Sequence, residues 1–580
     1  MALFKLTIYD ICTDAEPTDT STILTKSLLT DMQLVEINGY QYALVGLNMM
    51  KQMYQPTEII ADIHIQMIEG KTWADINRKT IEIMFKHRKV SLTSVVYENK
   101  EPKDDDTIGS DFYVHEVMPE YMADCMSLRL KIYSLDKMLT LNKTSRSFVG
   151  KKLASDILAT ELAKYKLPYD SDKTLGYNAD NMHVLYFTNN DDKKVEHMFP
   201  YLVQYNESFY DMLARTTNRW GEFLYYEDGK LRIGYDDDET KIKTVSNDYY
   251  KKTYSTQNAD EDLLKEVTDG NYEMEAAYDK TVYDTPVPKN PYVTRGEFLK
   301  PGGLGDKWFM KKLASFLNTE KNIPSWIANS LIDDLTSTAQ ALTNTATWNA
   351  AVNAHYFDDK GTDEQYGKYT FKLFSRPFGI PDQEKEKDGF NEFTEITSAY
   401  ANEDEIYDAK RYGKIRTLEE DAANNVVTIN YDTTWPALKL GDIIKVDGER
   451  FIVFNISAVY DNEILTFEVR GSGANEYTDS NDKTYYEYYP AMIPSGHVRY
   501  SGPQIATIID ANDPTLFHRV RLAFPWQGDV TDAADASPWV PFAGKNDGKA
   551  TTSRHYSGDE VFVGFVDGNI ERPYVIGNRQ

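Results

Sequence analysis

Histidine and cysteine are the residue types best suited to metal binding and nucleophilic chemistry, and their spacing in this chain supports neither. His115 and Cys125 are a conceivable base and nucleophile, but nothing in the sequence orients them, and a lone cysteine is usually a small buried hydrophobe. No HExxH motif is present, so a zinc hydrolase lacks its signature. The sequence predicts no catalytic or metal-binding residue among the nine histidines, which are His64, His87, His115, His183, His197, His355, His497, His518 and His555.

Glycine-rich and acidic motifs are equally unspecific. The run at 302–305 is Gly-Gly-Leu-Gly, but Asp306-Lys307 follows it without the Walker spacing, so a surface loop is predicted. The acidic cluster at 479–482 lacks the glycine and the distal glutamate of an EF-hand. No GxSxG elbow occurs, and a glycosidase carboxylate pair has meaning only at a distance that sequence does not give. We therefore predict no cofactor and no enzymatic activity.

Length and charge limit the classes of protein to which the chain can belong. The 580 residues correspond to about three to five domains. The formal charge is -28, from 63 basic and 91 acidic residues, and such a surface repels phosphate. Arg519 and Arg521 could form a basic face, but we identify no aromatic stacking platform near them. We predict no nucleic-acid partner.

Two features indicate where the chain is made. The first 19 residues carry acids where a signal peptide needs an apolar run, and no stretch reaches the ~18 apolar residues that would span a membrane. Cys12 and Cys125 form no disulfide framework. We predict cytoplasmic assembly, with any secretion or injection occurring without a cleaved signal peptide.

The elements that would position any site begin with strands. Residues 1–140 read as a mainly β domain, with a hairpin at Asn38-Gly39 and an alternating strand over Ile59–Ile68. Residues 141–235 read as an α+β segment, with helical spacing in Ser147–Leu167 and Asn206–Trp220. Asn206 and Ser208 are both candidate caps of the second helix. A further hairpin is predicted at 227–230.

The second half of the chain changes character twice. Residues 236–410 are acidic and helical, with a predicted helix from Lys307 to about Ala354. Residues 411–490 return to strands and form a second small barrel, followed by a loose linker at 471–489. Residues 491–580 contain five short strands within about 75 residues, which favours an OB-fold barrel. In Arg519–Phe524, Val520, Leu522 and Phe524 are predicted to face inward and both arginines outward.

A set of short motifs carries a resemblance to a known family. In order, they are 492–499, Asp513-Pro514, 519–526, 537–540, 558–561, 564–569 and 571–577, with 204–210, 220–223 and 439–453 upstream. This set resembles the VgrG family of type VI secretion spikes and the hub and spike proteins of phage tails. It touches residues from about 140 onward, and the stretch 236–400 matches no motif of the family.

The resemblance implies a fold and a function. The fold class is mainly β with α+β segments, in which tandem hub barrels precede a C-terminal OB barrel and three copies form a homotrimeric spike. The resemblance also implies a structural role in a contractile injection machine: the trimer caps a hexameric, Hcp-like inner tube and contacts baseplate proteins. Its OB end would carry a PAAR-like tip protein or an effector. The chain stops at Gln580 without the repeats of a β-helical needle, which predicts a separate tip or a truncated chain.

Other interpretations stay open. The hub motifs are shared with phage tails and extracellular contractile particles, and a type VI secretion spike is the favoured interpretation. A cell-wall hydrolase could be built on the hub through residues 236–400, which would require a catalytic cleft. An OB module that binds glycan or nucleic acid is a third possibility, testable by its salt dependence.

Overall fold

The computed structural model describes two long parts of the chain. The described residues are 2–9, 21–24, 35–37, 40–67, 77–98, 101–122, 125–188, 194–196, 198–245, 249–256, 425–432, 435–461, 464–478, 484–491, 493, 501–512, 519–528, 530, 536–540, 542, 556–565, 570–571 and 573–579. The helix predicted from Lys307, the Gly302–Gly305 loop and the acidic cluster at 479–482 lie outside them.

The N-terminal part is built of antiparallel strands and one helix. Helix α1 spans Arg78–Phe85 and is capped by the side chain of Asn77. The strands are β1 (Ala2–Ile8), β2 (Ser21–Leu24), β3 (Val35–Ile37), β4 (Tyr40–Gln52), β5 (Glu58–Met67), β6 (Lys89–Glu98), β7 (Glu101–Tyr121) and β8 (Met126–Ser134). Because side chains alternate across a strand, Ile63 and Ile65 of β5 lie on one side as predicted, and both are fully buried.

The α+β segment follows a 3₁₀ turn at Leu135–Thr140. Its helices are a π-helical turn at Leu153–Leu158 that continues into α2 (Ala159–Leu162), and α3 (Phe209–Arg219). Its strands are β9 (Lys143–Lys152), β10 (Lys166–Leu167), β11 (Asp170–Thr174), β12 (Gly176–Asn181), β13 (Tyr186–Thr188), β14 (Lys194–Glu196), β15 (Met198–Ser208), β16 (Leu224–Glu227) and β17 (Lys230–Gly234).

Both predicted helices of this segment are present but shorter than the apolar spacing indicated. Residues 147–152 are the end of β9, which pairs with β15, so the first helix begins at Leu153. The second begins after Ser208, which accepts a hydrogen bond from the backbone of Asp211 in a capping box. Asn206 is not the cap, because it lies within β15 at a positive φ of 48°.

The next part returns to strands after a 3₁₀ turn at Glu239–Lys241. These strands are β18 (Lys243–Thr244), β19 (Lys251–Thr256), β20 (Asn425–Asp432), β21 (Ile443–Val446), β22 (Glu449–Asp461), β23 (Ile464–Gly473), β24 (Asn475–Thr478) and β25 (Thr484–Glu487). The prediction of a loose linker at 471–489 is wrong for its described residues. Residues 471–473 complete β23, and β24 pairs with β25, where the aromatic pair of Tyr477 and Tyr485 favours a hairpin.

One 14-stranded sheet contains strands from both predicted barrels. The two sets meet where β22 pairs antiparallel with β4, from Asn455 opposite Gln52 to Asp461 opposite Gly46. Their cores are continuous, since the ring of Phe4 in β1 packs edge-on against Phe467 in β23 at 5.7 Å between centroids. The predicted mainly β fold class is confirmed, whereas the division into five domains stays a prediction.

The C-terminal domain has a sheet in the order β27-β26-β28-β29. Its strands are β26 (Gln504–Asp510), β27 (Arg521–Ala523), β28 (Glu560–Phe565) and β29 (Pro573–Asn578). Among the described residues, the fifth predicted strand appears only as single bridges, Val520 to Val540 and Phe542 to Val575. No helix in the described part of the chain is long and apolar enough to cross a bilayer.

Candidate functional site: two buried charged joints

The residues that sequence singled out for chemistry do not come together in the described structure. Cys125 lies at a hairpin tip with its Sγ 3.7 Å from the sulfur of Met122. His115 lies near the other end of the same β7–β8 ladder, beside the Val114–Ile132 pair, about 20 Å away at ~3.3 Å per residue. Burial, followed by the charge of Lys137, lowers the pKa of His115. In the described residues, no three His, Cys, Asp or Glu side chains are grouped as metal ligands.

The two arginines predicted to face outward are partly covered. Val520, Leu522 and Phe524 are buried as predicted, but Arg519 is only 5% exposed. The guanidinium of Arg521 lies 4.9 Å from the ring centroid of Trp539. The outward prediction is wrong for Arg519, whose side chain is buried, whereas Arg521 is half-buried beside residues 536–540, which the Val520–Val540 bridge places next to this strand.

Charged side chains buried between parts of the chain form the distinctive site of the structure. The first group, here called the barrel joint, consists of Lys51, Glu227 and the backbone of Leu440. The Nζ of Lys51 lies 2.7 Å from Glu227 Oε2, with side-chain exposures of 1% and 5%. Lys51 also donates to the carbonyl of Ile108 at 3.2 Å, and Leu440 N donates to Glu227 at 3.3 Å. One carboxylate therefore ties β16 to β4 and to the turn before β21.

The local sequence explains how Glu227 reaches this position. Residues 227–230 form the predicted hairpin, with Asp228 and Gly229 at φ of 52° and 75°. A turn with two positive φ values matches the twist of the strands and holds Glu227 at the end of β16. Lys51 occupies an inward position of β4 between the buried Met49 and Met53, so its ammonium needs an internal partner.

The second group, here called the C-terminal joint, consists of Glu207, Arg215, Arg219 and Glu571. Arg215 donates from Nε to Glu207 at 3.0 Å and from Nη1 to Glu571 at 3.3 Å, and it is 1% exposed. Arg219 donates to the other oxygen of Glu571 at 3.2 Å. Two cations face two carboxylates, so the buried group carries no net charge. Burial opposes the charged form of Arg215, but Glu571 and Glu207 raise its pKa above the usual value.

A bulge in β15 and the capping box at Ser208 orient the side chains of the C-terminal joint. Between Gln204 and Glu207 the register of β15 against β9 shifts, and Asn206 adopts the left-handed conformation that asparagine tolerates. The bulge lets the Glu207 side chain turn inward, where it is fully buried. The capping box at Ser208 then starts α3, which places Arg215 and Arg219 one turn apart on the same face.

Neutral contacts surround the C-terminal joint. Val203 N donates to Glu571 at 3.2 Å, so the carboxylate also binds the β15 backbone. Asn218 donates to the carbonyl of Ala491 and accepts from Ile493 N, which holds the chain entering the C-terminal domain against α3.

A third set of contacts joins the C-terminal domain to Ser147 of β9 and Tyr205 of β15. Gln504 donates to the hydroxyl of Tyr205 and accepts from the indole of Trp526, whose ring packs edge-on against Tyr205. Gln527 donates to Ser147 of β9 at 2.5 Å. The C-terminal domain is therefore held to the α+β segment by ionic, polar and aromatic contacts together.

A charged cleft adjoins the barrel joint between the β16–β17 hairpin and residues 439–443. Its described acids are paired with bases, including Asp228 with Lys439 at 2.7 Å and Lys241 with Asp236 at 2.6 Å. This pairing favours a structural contact over a ligand site.

Comparison with known proteins identifies the C-terminal domain. Residues 504–578 match the family model described as the type VI secretion system/phage-baseplate injector OB domain. The predicted resemblance to VgrG-type spike proteins is thereby confirmed for this domain. No curated protein sequence matches the chain.

Solved structures that match the chain, all at TM-scores below 0.5, include proteins of secretion systems and phage tails. The Escherichia coli c3393 protein, described as a component of the type VI secretion system, is 11% identical at a TM-score of 0.45, with 94% of this chain and 100% of that chain covered. A chain of a Francisella PdpA-VgrG complex is 9% identical at a TM-score of 0.44, with 100% of this chain and 78% of that chain covered. A Shewanella oneidensis prophage tail protein is 8% identical at a TM-score of 0.36, with 81% of this chain and 98% of that chain covered. At these values no residue's role is transferred to this chain.

Proposed function

We propose that the chain is a structural hub and spike-base subunit of a contractile injection machine. The observation that carries this proposal is the injector OB domain at 504–578, whose Glu571 is buried against Arg215 of the α+β segment. A spike base must pass an axial load from the tube to the tip without its domains separating. Charges buried between domains resist separation, because parting them would expose or strand an unpaired ion.

The role is structural rather than enzymatic in this proposal. Buried ionic side chains in the described residues hold elements together, and the described acids that line the charged cleft are paired with bases. The family match is to an injector domain, which supports the same role. Incubation of the purified full chain with peptidoglycan tests the hydrolase alternative: we expect no release of soluble fragments, and reproducible release would contradict a purely structural role.

The proposed partners follow from the resemblance. Three copies would form the hub, which caps an Hcp-like hexameric inner tube and contacts baseplate proteins. The OB end would carry a PAAR-like tip or an effector. The chain would assemble in the cytoplasm and leave the cell by injection. The identity of the tube, baseplate and tip proteins distinguishes a type VI secretion system from a phage-like particle.

The test is the mass of the full chain in solution, measured by light scattering after size-exclusion chromatography. The chain has a mass of 66.5 kDa, and we expect about three times this value for the hub, because the resemblance implies a trimer. A monomer at every concentration would remove the premise. Co-sedimentation with assembled tubes of an Hcp-like protein is the second measurement, with the tube protein alone as the control.

A further inference from the structure

Helix α1 presents basic side chains to solvent in a chain whose formal charge is -28. Three apolar side chains of this helix are buried in the core, namely Ile81, Met84 and Phe85. The side chains of Lys79, Ile83 and Lys86 are exposed, and Ile83 is 50% exposed. Because their spacing is i, i+4 and i+7, the three lie along one line of the helix surface. We call them the basic stripe.

The two lysines of the basic stripe form no ion pair within the described part of the chain. The acid within the same helix, Glu82, is bound by Arg78 at 2.8 Å. Just beyond the helix, Asp111 is bound by Lys89 at 2.5 Å. The acids around the helix are therefore neutralised by other bases, and the charge of both stripe lysines is available to a partner.

Further positive charge collects at the C-terminal end of α1. The guanidinium of Arg88 donates to two carbonyls of the last turn, at 3.2 and 3.3 Å, so it closes the helix rather than binding an acid. Burial, followed by the charge of Lys86, lowers the pKa of His87. The charge of Lys86 also reaches His115, whose pKa is lowered chiefly by burial and Lys137. This end of the helix is thus electropositive within an acidic chain.

We propose that the basic stripe docks an acidic amphipathic helix of another protein. Lys79 and Lys86 are about 10 Å apart along the axis, since each residue of a helix rises ~1.5 Å. A partner helix with two acids at the same spacing would meet both ammonium groups, and an apolar side chain midway between them would cover Ile83. The rest of this chain repels such a helix, but charges more than about 8 Å away are screened at physiological salt. The stripe therefore decides where the helix binds.

Ile83 favours a protein partner over one that carries phosphate. Nucleic-acid affinity comes from many neutralised phosphates, and Arg78 and Arg88, whose side chains suit phosphate best, are bound within the chain. A lipid surface needs a broad apolar face, whereas the apolar face of α1 is buried in the core. An exposed isoleucine between two lysines instead matches a protein surface with an apolar centre and a charged rim.

The experiment measures peptide binding to the full chain by fluorescence anisotropy. The probe is a labelled, alanine-based helical peptide of about 18 residues, with two glutamates seven residues apart and a leucine midway between them. A peptide with glutamine in place of both glutamates is the control probe. We expect saturable binding of the glutamate peptide at about 50 mM salt, several-fold weaker binding at about 300 mM, and little binding of the control.

Two double variants locate the binding surface. Lys79→Glu combined with Lys86→Glu should weaken binding of the glutamate peptide about tenfold, because both ion pairs become repulsive. The matched control combines Lys151→Glu with Lys251→Glu, which makes the same change in net charge at exposed lysines of β9 and β19. All these side chains are exposed, so the far-UV circular dichroism should be unchanged. Equal weakening by the two double variants would overturn the proposal.

The variant Ile83→Ser separates a protein partner from a phosphate-bearing one. It should weaken peptide binding about threefold and leave the salt dependence unchanged, because an apolar contact is lost but no charge. No binding of the glutamate peptide at millimolar concentration would overturn the proposal. Binding of a DNA duplex or of phosphatidylglycerol vesicles that requires both lysines but not Ile83 would also overturn it. The mass of the chain in solution should be the same for every variant, so the proposed function is tested separately.

Discussion

Arg215 and Glu571 are separated by 356 residues in sequence, yet their side chains meet in the protein interior at 3.3 Å. Glu571 belongs to the injector OB domain, whereas Arg215 lies in the middle of α3. The pair is flanked by Glu207 and Arg219, so four buried charges compensate each other. This relationship makes the connection between the C-terminal domain and the rest of the chain sensitive to single substitutions.

Removing Glu571 should weaken this connection strongly. The substitution Glu571→Ala leaves Arg219 without its carboxylate and Arg215 with one fewer, and breaking a buried pair costs about 3–5 kcal/mol. Thermal unfolding monitored by calorimetry should show a lower transition temperature. Glu560→Ala is the control, since its pair with Arg579 is half exposed and an exposed pair contributes about 0–1 kcal/mol. Equal shifts for the two variants would contradict the importance of the C-terminal joint.

The barrel joint should behave as a coupled pair. Lys51→Met leaves Glu227 buried without its cation and should destabilise the chain by about 3–5 kcal/mol. Combining it with Glu227→Gln should recover much of this loss, because the amide oxygen still accepts from Leu440 N and no charge remains buried. Denaturant unfolding of both single variants and the double variant gives the coupling energy. Additive effects would show that Lys51 and Glu227 do not act together.

Asp136 should make stability depend on pH. Burial raises the pKa of this carboxyl to about 6, although hydrogen bonds from Ser134 and from its own backbone and the charge of Lys137 act to lower it. Since the unfolded value is about 3.9, the folded state binds the proton more tightly. The stability that the folded state gains from protonated Asp136 is fully present below about pH 4 and is lost as the pH rises through 6.

The substitution Asp136→Asn tests that sign. Asparagine keeps an acceptor for Ser134 but cannot ionise. The effect of the substitution on the free energy of unfolding should therefore be more favourable at pH 8 than at pH 4, by up to about 3 kcal/mol. Unfolding midpoints measured from pH 4 to pH 8 provide the comparison. Asp228→Asn, at a residue whose pKa is lowered chiefly by Lys439 against burial, should show no such gain at high pH. A pH-independent difference for Asp136→Asn would rule out the proposed titration.

Gly441 should tolerate no side chain. Its φ is 82°, and an added Cβ would come within 2.3 Å of the Tyr225 hydroxyl, which packs against this turn. Gly448 has a φ of 99° but no atom within 4 Å of the added Cβ. Gly448→Ala should therefore cost about 1–3 kcal/mol from backbone strain alone, and Gly441→Ala distinctly more. Unfolding midpoints of the two variants give the comparison, and similar losses would mean that the Tyr225 contact relaxes freely.

The sequence by itself determined most of the local structure. Alternation located β5 and the buried side chains of Val520, Leu522 and Phe524, because a half-buried strand exposes every second side chain. Asp228-Gly229 and Asp447-Gly448 both form turns with two positive φ values, which few other residue pairs adopt easily. The order of motifs in the last ninety residues identified the injector OB domain. Each of these signals is local and rests on chemistry within a few residues.

Only the tertiary structure decided which charges are buried and what they meet. Lys51 stands at an inward position between Met49 and Met53, a signal that sequence analysis could have used, although it names no partner. Glu571 gives no such sign, since its burial depends on α3 and β15 packing against it. The outward prediction for Arg519 failed for the same reason. Strand parity gives the face of a side chain, but the segment that covers that face comes from elsewhere in the chain.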